Sequence, residues 1–172
     1  MLYVGQVNRS YGFDIFIKSA LYVPENVLYV IVGSGPGAKE VRAFVENLHL
    51  NNKIKFIGYQ PREKIPELIS SSDVCIVPYG IESTIKLLEY GALGKPVVTF
   101  EGPIERRFVR DEEIIISRWN PIDLAKSIKY LITNRKKANF IGKQLQMKVL
   151  RYYRWDKLAD RYAELLENFA KR

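Results

Sequence analysis

The stretch Pro78-Tyr79-Gly80-Ile81-Glu82-Ser83-Thr84-Ile85-Lys86-Leu87-Leu88-Glu89-Tyr90-Gly91-Ala92-Leu93-Gly94-Lys95-Pro96-Val97-Val98 reads as strand end, loop, helix and new strand. The apolar run Val74 to Val77 leads into it. Leu87, Leu88 and Gly91 then fall at helical spacing, Gly94 stops the helix, and Pro96-Val97-Val98 resumes a β-branched run. A strand, a crossover helix and a second short apolar strand make a unit that feeds a parallel sheet.

The same alternation extends in both directions. Strands are predicted at Leu2 to Val7, Leu28 to Gly33, Ile54 to Gly58, Val74 to Pro78, Pro96 to Phe100 and Glu113 to Ser117, several apolar throughout, as strands covered on both faces should be. Helices are predicted at Phe13 to Leu21, Ala38 to Leu48, Arg62 to Ser70 and Thr84 to Leu93. From Pro121, with Asn120 as N-cap, the chain is helical to its end. The pattern implies a Rossmann-like three-layer α/β/α fold with about six parallel strands, 1–172 forming one domain. In such sheets ligands bind beyond the carboxyl ends of the strands, which singles out the loops at Asn8 to Gly12, Gly33 to Gly37, Gly58 to Pro61 and Tyr79 to Ser83.

Bulk composition agrees with one compact domain: 172 residues, 47% apolar and 12% aromatic. Apolar runs stay far short of a membrane span and no basic-then-apolar leader opens the chain, so a cytoplasmic location is expected. Cys75, the only cysteine, sits in an apolar run and is expected to be a buried, inert thiol. The formal charge of +8 favours a polyanionic partner, whether nucleic acid, an anionic membrane that would hold the protein peripherally, or phosphorylated small molecules. Charge alone does not choose. The late cations at Arg135, Lys136, Lys137, Lys143, Lys148, Arg151, Arg154, Lys157 and Arg161 read first as a solvated helix face, and no zinc-finger spacing, aromatic RNA-binding signature or arginine-rich tail points to nucleic acid.

A helix starting near Ser83 or Thr84 would aim free N–H groups and its positive dipole end at the cleft, where they can hold a phosphate without a metal, and Lys86 would add a full charge. Glu82 and Glu89 bracket that start. Carboxylates beside an anion site make sense as acceptors for sugar hydroxyls; equally, Glu82 and Ser83 can be first-turn and capping residues and Glu89 a solvated one. The run Gly33-Ser34-Gly35-Pro36-Gly37 is not a dinucleotide fingerprint, since its third glycine is misplaced and no acid follows at the required distance; a tight strand-helix turn is the better reading. His49, at the end of a helical pattern, reads as a surface or C-cap residue.

The run Lys86-Leu87-Leu88-Glu89-Tyr90-x-Ala92-x-Gly94-Lys95-Pro96-Val97-Val98 resembles the helix-strand signature of glycosyltransferase family 4. Val4-Gly5 with Gly12-Phe13-Asp14 resembles that family's opening strand and helix, Ile31-Val32-Gly33-x-Gly35-Pro36 its second strand and Ile54-x-Phe56-x-Gly58 its third. Ser72-Asp73-Val74-x-Ile76-x-Pro78 resembles the fourth, and Arg154-Trp155-Asp156 with Ala159 and Tyr162 the closing helix, so almost the whole chain is covered.

The resemblance implies the carboxy-terminal, donor-binding half of a GT-B fold, whose partner is an acceptor-binding amino-terminal domain. By position, Glu89 would hold the ribose hydroxyls, the backbone of Ser83, Thr84 and Ile85 the diphosphate, and the Gly58-Tyr59-Gln60 loop, with Tyr59, the base. The family's earlier acid, eight positions before the second, contacts the donor sugar. Here that position is Ile81, and Glu82 would take the catalytic role through a one-residue shift. The family's diphosphate-binding Arg and Lys are replaced by Gln6 and Tyr11, leaving Arg9 and Lys86 as the cations within reach.

The function implied is retaining transfer of a sugar from a nucleoside diphosphate sugar, without a metal or other cofactor. Alternatives are a sugar-nucleotide epimerase of the same fold and a non-catalytic binding module partnered with a separate chain. Leu158, Tyr162, Leu165, Leu166 and Phe169 form an apolar stripe on the last helix, which predicts that the isolated chain self-associates and transfers no sugar by itself.

Overall fold

A computed structural model describes residues 1–9, 12–79 and 85–170, with the side chains of residues 105, 106 and 170 left out. Six strands, β1 (Leu2–Val4), β2 (Tyr29–Val32), β3 (Ile54–Gly58), β4 (Cys75–Val77), β5 (Val97–Phe100) and β6 (Ile115–Ser117), form one parallel sheet in the order β3-β2-β1-β4-β5-β6. Helices α1 (Phe13–Ser19), α2 (Ala38–Asn47), α3 (Ile65–Ser70), α4 (Ile85–Ala92) and α5 (Pro121–Thr133) follow in sequence, and α6 (Arg135–Tyr152) and α7 (Trp155–Ala170) close the chain.

The expected three layers are present. Alternate strand residues point into two cores: Tyr3, Tyr29, Ile31, Ile76 and Val98 meet α1, α2 and α5, while Leu2, Val4, Val32, Cys75, Val77 and Val97 meet α3, α4 and α6. The first core is aromatic at its centre, with Tyr3 edge-on to Phe13 at 4.9 Å and Phe16 stacked on Tyr29 at 5.2 Å. Lys53, nearly buried, donates to the carbonyls of Ala20 and Val23 where the first helical segment ends, and pairs with Glu25 at 3.0 Å. Asn120 caps α5 by accepting from the Asp123 N–H at 2.8 Å, with Pro121 in the first turn. Leu48 is the C-cap of α2; His49, exposed, is the left-handed residue just past it (φ 55°), its N–H bonded back to Glu46, so of the two readings the surface one holds.

The strands are shorter than their apolar runs. β1 ends at Val4, before Gly5 (φ 157°), yet the chain stays beside the glycine-rich turn that follows β2, the Gly5 N–H donating to the Val32 carbonyl and the Val7 N–H to that of Ser34. A Cβ on Gly33 would lie 2.0 Å from the Gly5 carbonyl oxygen, one on Gly35 2.4 Å from that of Val7, and one on Gly37 2.6 Å from the Arg9 nitrogen. These glycines therefore let two backbone segments touch, which is the tight-turn reading of that run.

The sheet also opens at its centre. β1 and β4 are paired only at Leu2 and Cys75, where the Leu2 N–H reaches the Val74 carbonyl; one step further on, the Val4 N–H donates to the Tyr90 hydroxyl at 2.8 Å instead of to β4. The fully buried Tyr90 thus stands at the seam where the strand order reverses. Burial raises its phenol well above the ordinary tyrosine range, so it stays a neutral hydroxyl.

Candidate functional site

Beyond the carboxyl ends of β1, β2 and β3, between α3 and α4, lies a cleft of about 710 Å³. It sits where a doubly wound sheet binds ligands, at the reversal of strand order. Its apolar end is made by Ile65, Pro66 and Ile69 of α3 with Ala92 and Leu93, and Tyr59 stands at the rim, 77% exposed. Its polar side is made by Gln6, Ser34, Lys86 and Glu89, with the backbone of Gly5 and Gly33.

α4 supplies both charged groups. Lys86 lies in its first turn and Glu89 one turn later, so they share a helix face, and the Lys86 ammonium meets the Glu89 carboxylate at 3.1 Å. Both side chains keep about a third of their surface in water, enough for an incoming ligand to reach them. The opposite face of α4 is held by Leu87 and Tyr90 in the second core, and Gly91 lets α6 approach: a Cβ there would meet Leu145 and Val149 at 2.8 Å. Gln146 donates to the Ala92 carbonyl and so finishes the helix.

Of the site residues expected from the sequence, Tyr59, Lys86 and Glu89 line this cleft, and Ile85 opens α4 beside it. Arg9 is not among the lining residues: its guanidinium bonds Asp14 at 3.3 Å and lies over the Phe44 ring at 4.9 Å. Tyr11, Ile81, Glu82, Ser83 and Thr84 fall outside the described residues. Gln6, where the family pattern would place an Arg, does line the cleft, so that substitution alters the cleft wall itself. Arg62, Ser34 and Gln60 also line it. The position of Arg62 just past the Gly58-to-Pro61 loop was the available signal.

Cys75 is fully buried, its Sγ 3.3 Å from the Ser72 hydroxyl, and burial pushes its thiol up to about 11; the expectation of an inert cysteine holds. Among the described residues no three His, Cys, Asp or Glu side chains gather at one point, and no helix is long and apolar enough to cross a membrane.

Residues 1–147 match the model of the glycosyl transferases group 1 family. The chain belongs to this family. An uncharacterized glycosyltransferase of Methanocaldococcus jannaschii is 25% identical over 164 residues, which is 92% of this chain and 42% of that protein. Among solved structures, sucrose-phosphate synthase from Thermosynechococcus elongatus superposes on 99% of this chain and 45% of its own, with a TM-score of 0.88 and 23% identity. Anabaena HepE in complex with UDP superposes on 97% and 48%, with a TM-score of 0.82 and 22% identity. This group 1 glycosyltransferase chain spans 36 to 48% of the length of the curated relatives it matches. The structural neighbours show the fold, a Rossmann-like α/β sheet that matches GT-B glycosyltransferase structures, as the family resemblance implies.

Proposed function

We propose that the chain is the donor-binding half of a retaining glycosyltransferase, which holds a nucleoside diphosphate sugar in the cleft while an acceptor binds on a separate amino-terminal domain or subunit. The observation that carries the reading is the placement of Lys86 and Glu89, 3.1 Å apart, beside the start of α4 at the reversal point of the sheet. The positive end of a helix and an ammonium suit a diphosphate, and a carboxylate one turn further suits paired hydroxyls of a ribose. The apolar floor of Ile65, Pro66, Ile69 and Leu93 with the rim Tyr59 suits a planar base. Group 1 family membership and the UDP held by the Anabaena neighbour support this assignment.

In this reading the sugar leaves a diphosphate whose developing charge is met by the Ile85 end of α4 and by Lys86, without a divalent ion. Arg9 would join them on releasing Asp14, and Glu82 would face the donor sugar. The chemistry then needs positioning of two substrates, which can supply roughly 7 to 11 kcal/mol of a barrier and requires the second wall of the cleft. The chain alone accordingly binds donor and transfers nothing.

Titration calorimetry of UDP, GDP and ADP against the intact chain and its Glu89→Ala variant tests the reading. At least one nucleotide should bind, and the variant should bind it roughly ten- to a hundredfold more weakly, the scale of about 1.5 to 3 kcal/mol for a hydrogen bond to a charged group. Equal affinity in the two proteins would remove Glu89 from the site.

A further inference from the structure

The outer face of α6 carries a pattern that a donor cleft does not need. In 18 residues the helix holds Arg135, Lys136, Lys137, Lys143, Lys148 and Arg151, and no acid. One side, Ala138, Ile141, Gly142, Leu145 and Val149, is buried. The other presents Lys136, Phe140, Lys143, Met147, Leu150 and Arg151, all exposed, at intervals of three and four residues that stack them along one stripe of about 22 Å. Phe140, Met147 and Leu150 leave nearly half of their surface in water. Three consecutive cations open the helix, where the macrodipole disfavours positive charge, so local helix energetics argue against this composition.

We propose that this face of α6 docks on an anionic lipid bilayer, with Lys136, Lys143 and Arg151 meeting lipid phosphates and Phe140, Met147 and Leu150 entering the boundary between headgroups and acyl chains. A nucleic acid would reward the cations and leave the interleaved apolar side chains without a partner; a bilayer interface rewards both. The contrast with α7 is instructive. It also exposes large apolar residues, but Asp156, Asp160, Glu164 and Glu167 outnumber Lys157 and Arg161, which suits a protein surface and not an anionic membrane. Gly142 of α6 lies against Gly94 just before β5, at the amino ends of the strands, so docking here leaves the cleft at their carboxyl ends uncovered.

The test is co-sedimentation of the intact chain with vesicles of phosphatidylcholine alone and of phosphatidylcholine mixed with phosphatidylglycerol. The chain should bind the mixed vesicles and not the neutral ones. Combining Lys136→Gln, Lys143→Gln and Arg151→Gln should weaken binding about a hundredfold, roughly fivefold per cation removed. Combining Phe140→Ser, Met147→Ser and Leu150→Ser should weaken it as well; all six side chains are exposed, and thermal melts would verify that both variants fold. Absence of binding to the mixed vesicles, or binding that either variant leaves unchanged, would overturn the proposal. So would tighter binding to poly(U) RNA than to the mixed vesicles, insensitive to the three serines. None of these readouts depends on whether the cleft takes a nucleotide.

Discussion

Tyr90→Phe removes one oxygen and tests the seam at the centre of the sheet. The Tyr90 hydroxyl is the partner of the Val4 N–H, at 2.8 Å, and both residues are buried, Tyr90 completely. The ring itself is retained, so no cavity larger than the oxygen is made. What remains is a buried N–H without an acceptor, which costs about 1 to 3 kcal/mol. For a domain of this size each kcal/mol lowers Tm by about 2 to 4 °C, so the variant should melt roughly 2 to 12 °C below the parent. Urea unfolding with an unchanged m-value would show that the loss is one of stability and not of compactness. Stability within about 0.5 kcal/mol of the parent would refute the reasoning, because it would mean that β1 and β4 can close on each other and supply the missing acceptor. The tyrosine would then be a filler.

Under the proposed function, in which a helix start and Lys86 take the place of an ion, nucleotide affinity should be unchanged by EDTA; a tenfold loss on chelation in calorimetry would contradict this. Cys75 should resist thiol reagents in the native protein at pH 8 and react once unfolded in urea. Its raised folded pKa also has a consequence for stability. Between the ordinary thiol range near 9 and about 11 the unfolded chain releases a proton that the folded chain keeps, so Cys75 should contribute a loss of roughly 2 to 3 kcal/mol as pH rises through that window, beside the losses from the buried Tyr3, Tyr29 and Tyr90. The difference between the parent and Cys75→Ala isolates it, and parallel pH profiles of the two would remove the effect. Tyr162, Leu165, Leu166 and Phe169, each more than half exposed, should drive concentration-dependent association, and Leu166→Lys with Phe169→Lys should abolish it in sedimentation velocity.

The strands could be read from the chain because a strand covered on both faces is an unbroken apolar run, and β3 and β5 differ from their predicted bounds by one residue at most. Their ends were less readable. Gly5 and Gly33 stop β1 and β2 through contact between two backbones, and such a contact pairs segments about 28 positions apart. Motif and topology point Glu89, Lys86 and Tyr59 to the same loop ends, and all three line the cleft. Arg9 shows the limit: a long, flexible cation in the expected loop takes the partners that folding brings near it, here Asp14 and Phe44, and neither is marked in the local sequence. Tyr90 stands in the sequence as one letter of a helical motif, and nothing local reveals that its oxygen takes the place of a β4 carbonyl in accepting from the Val4 N–H, 86 residues upstream.

The close fit of α6 against α4 bears on the order in which the protein can be made. Val4, Gly33 and Glu89 have all been added by the time residue 100 is, yet the wall carrying Glu89 then rests on the sheet alone, through Leu87 and Tyr90. Its outer supports come later, Leu145 and Val149 pressed on Gly91, and Gln146 closing the helix at Ala92. A nascent chain that ends before about residue 150 therefore has every side chain of the cleft while α4 is packed on one side only. The nucleotide site should appear late and all at once during synthesis, and a fragment cut between α5 and α6 should expose the apolar back of α4 to water instead of behaving as a smaller binding domain.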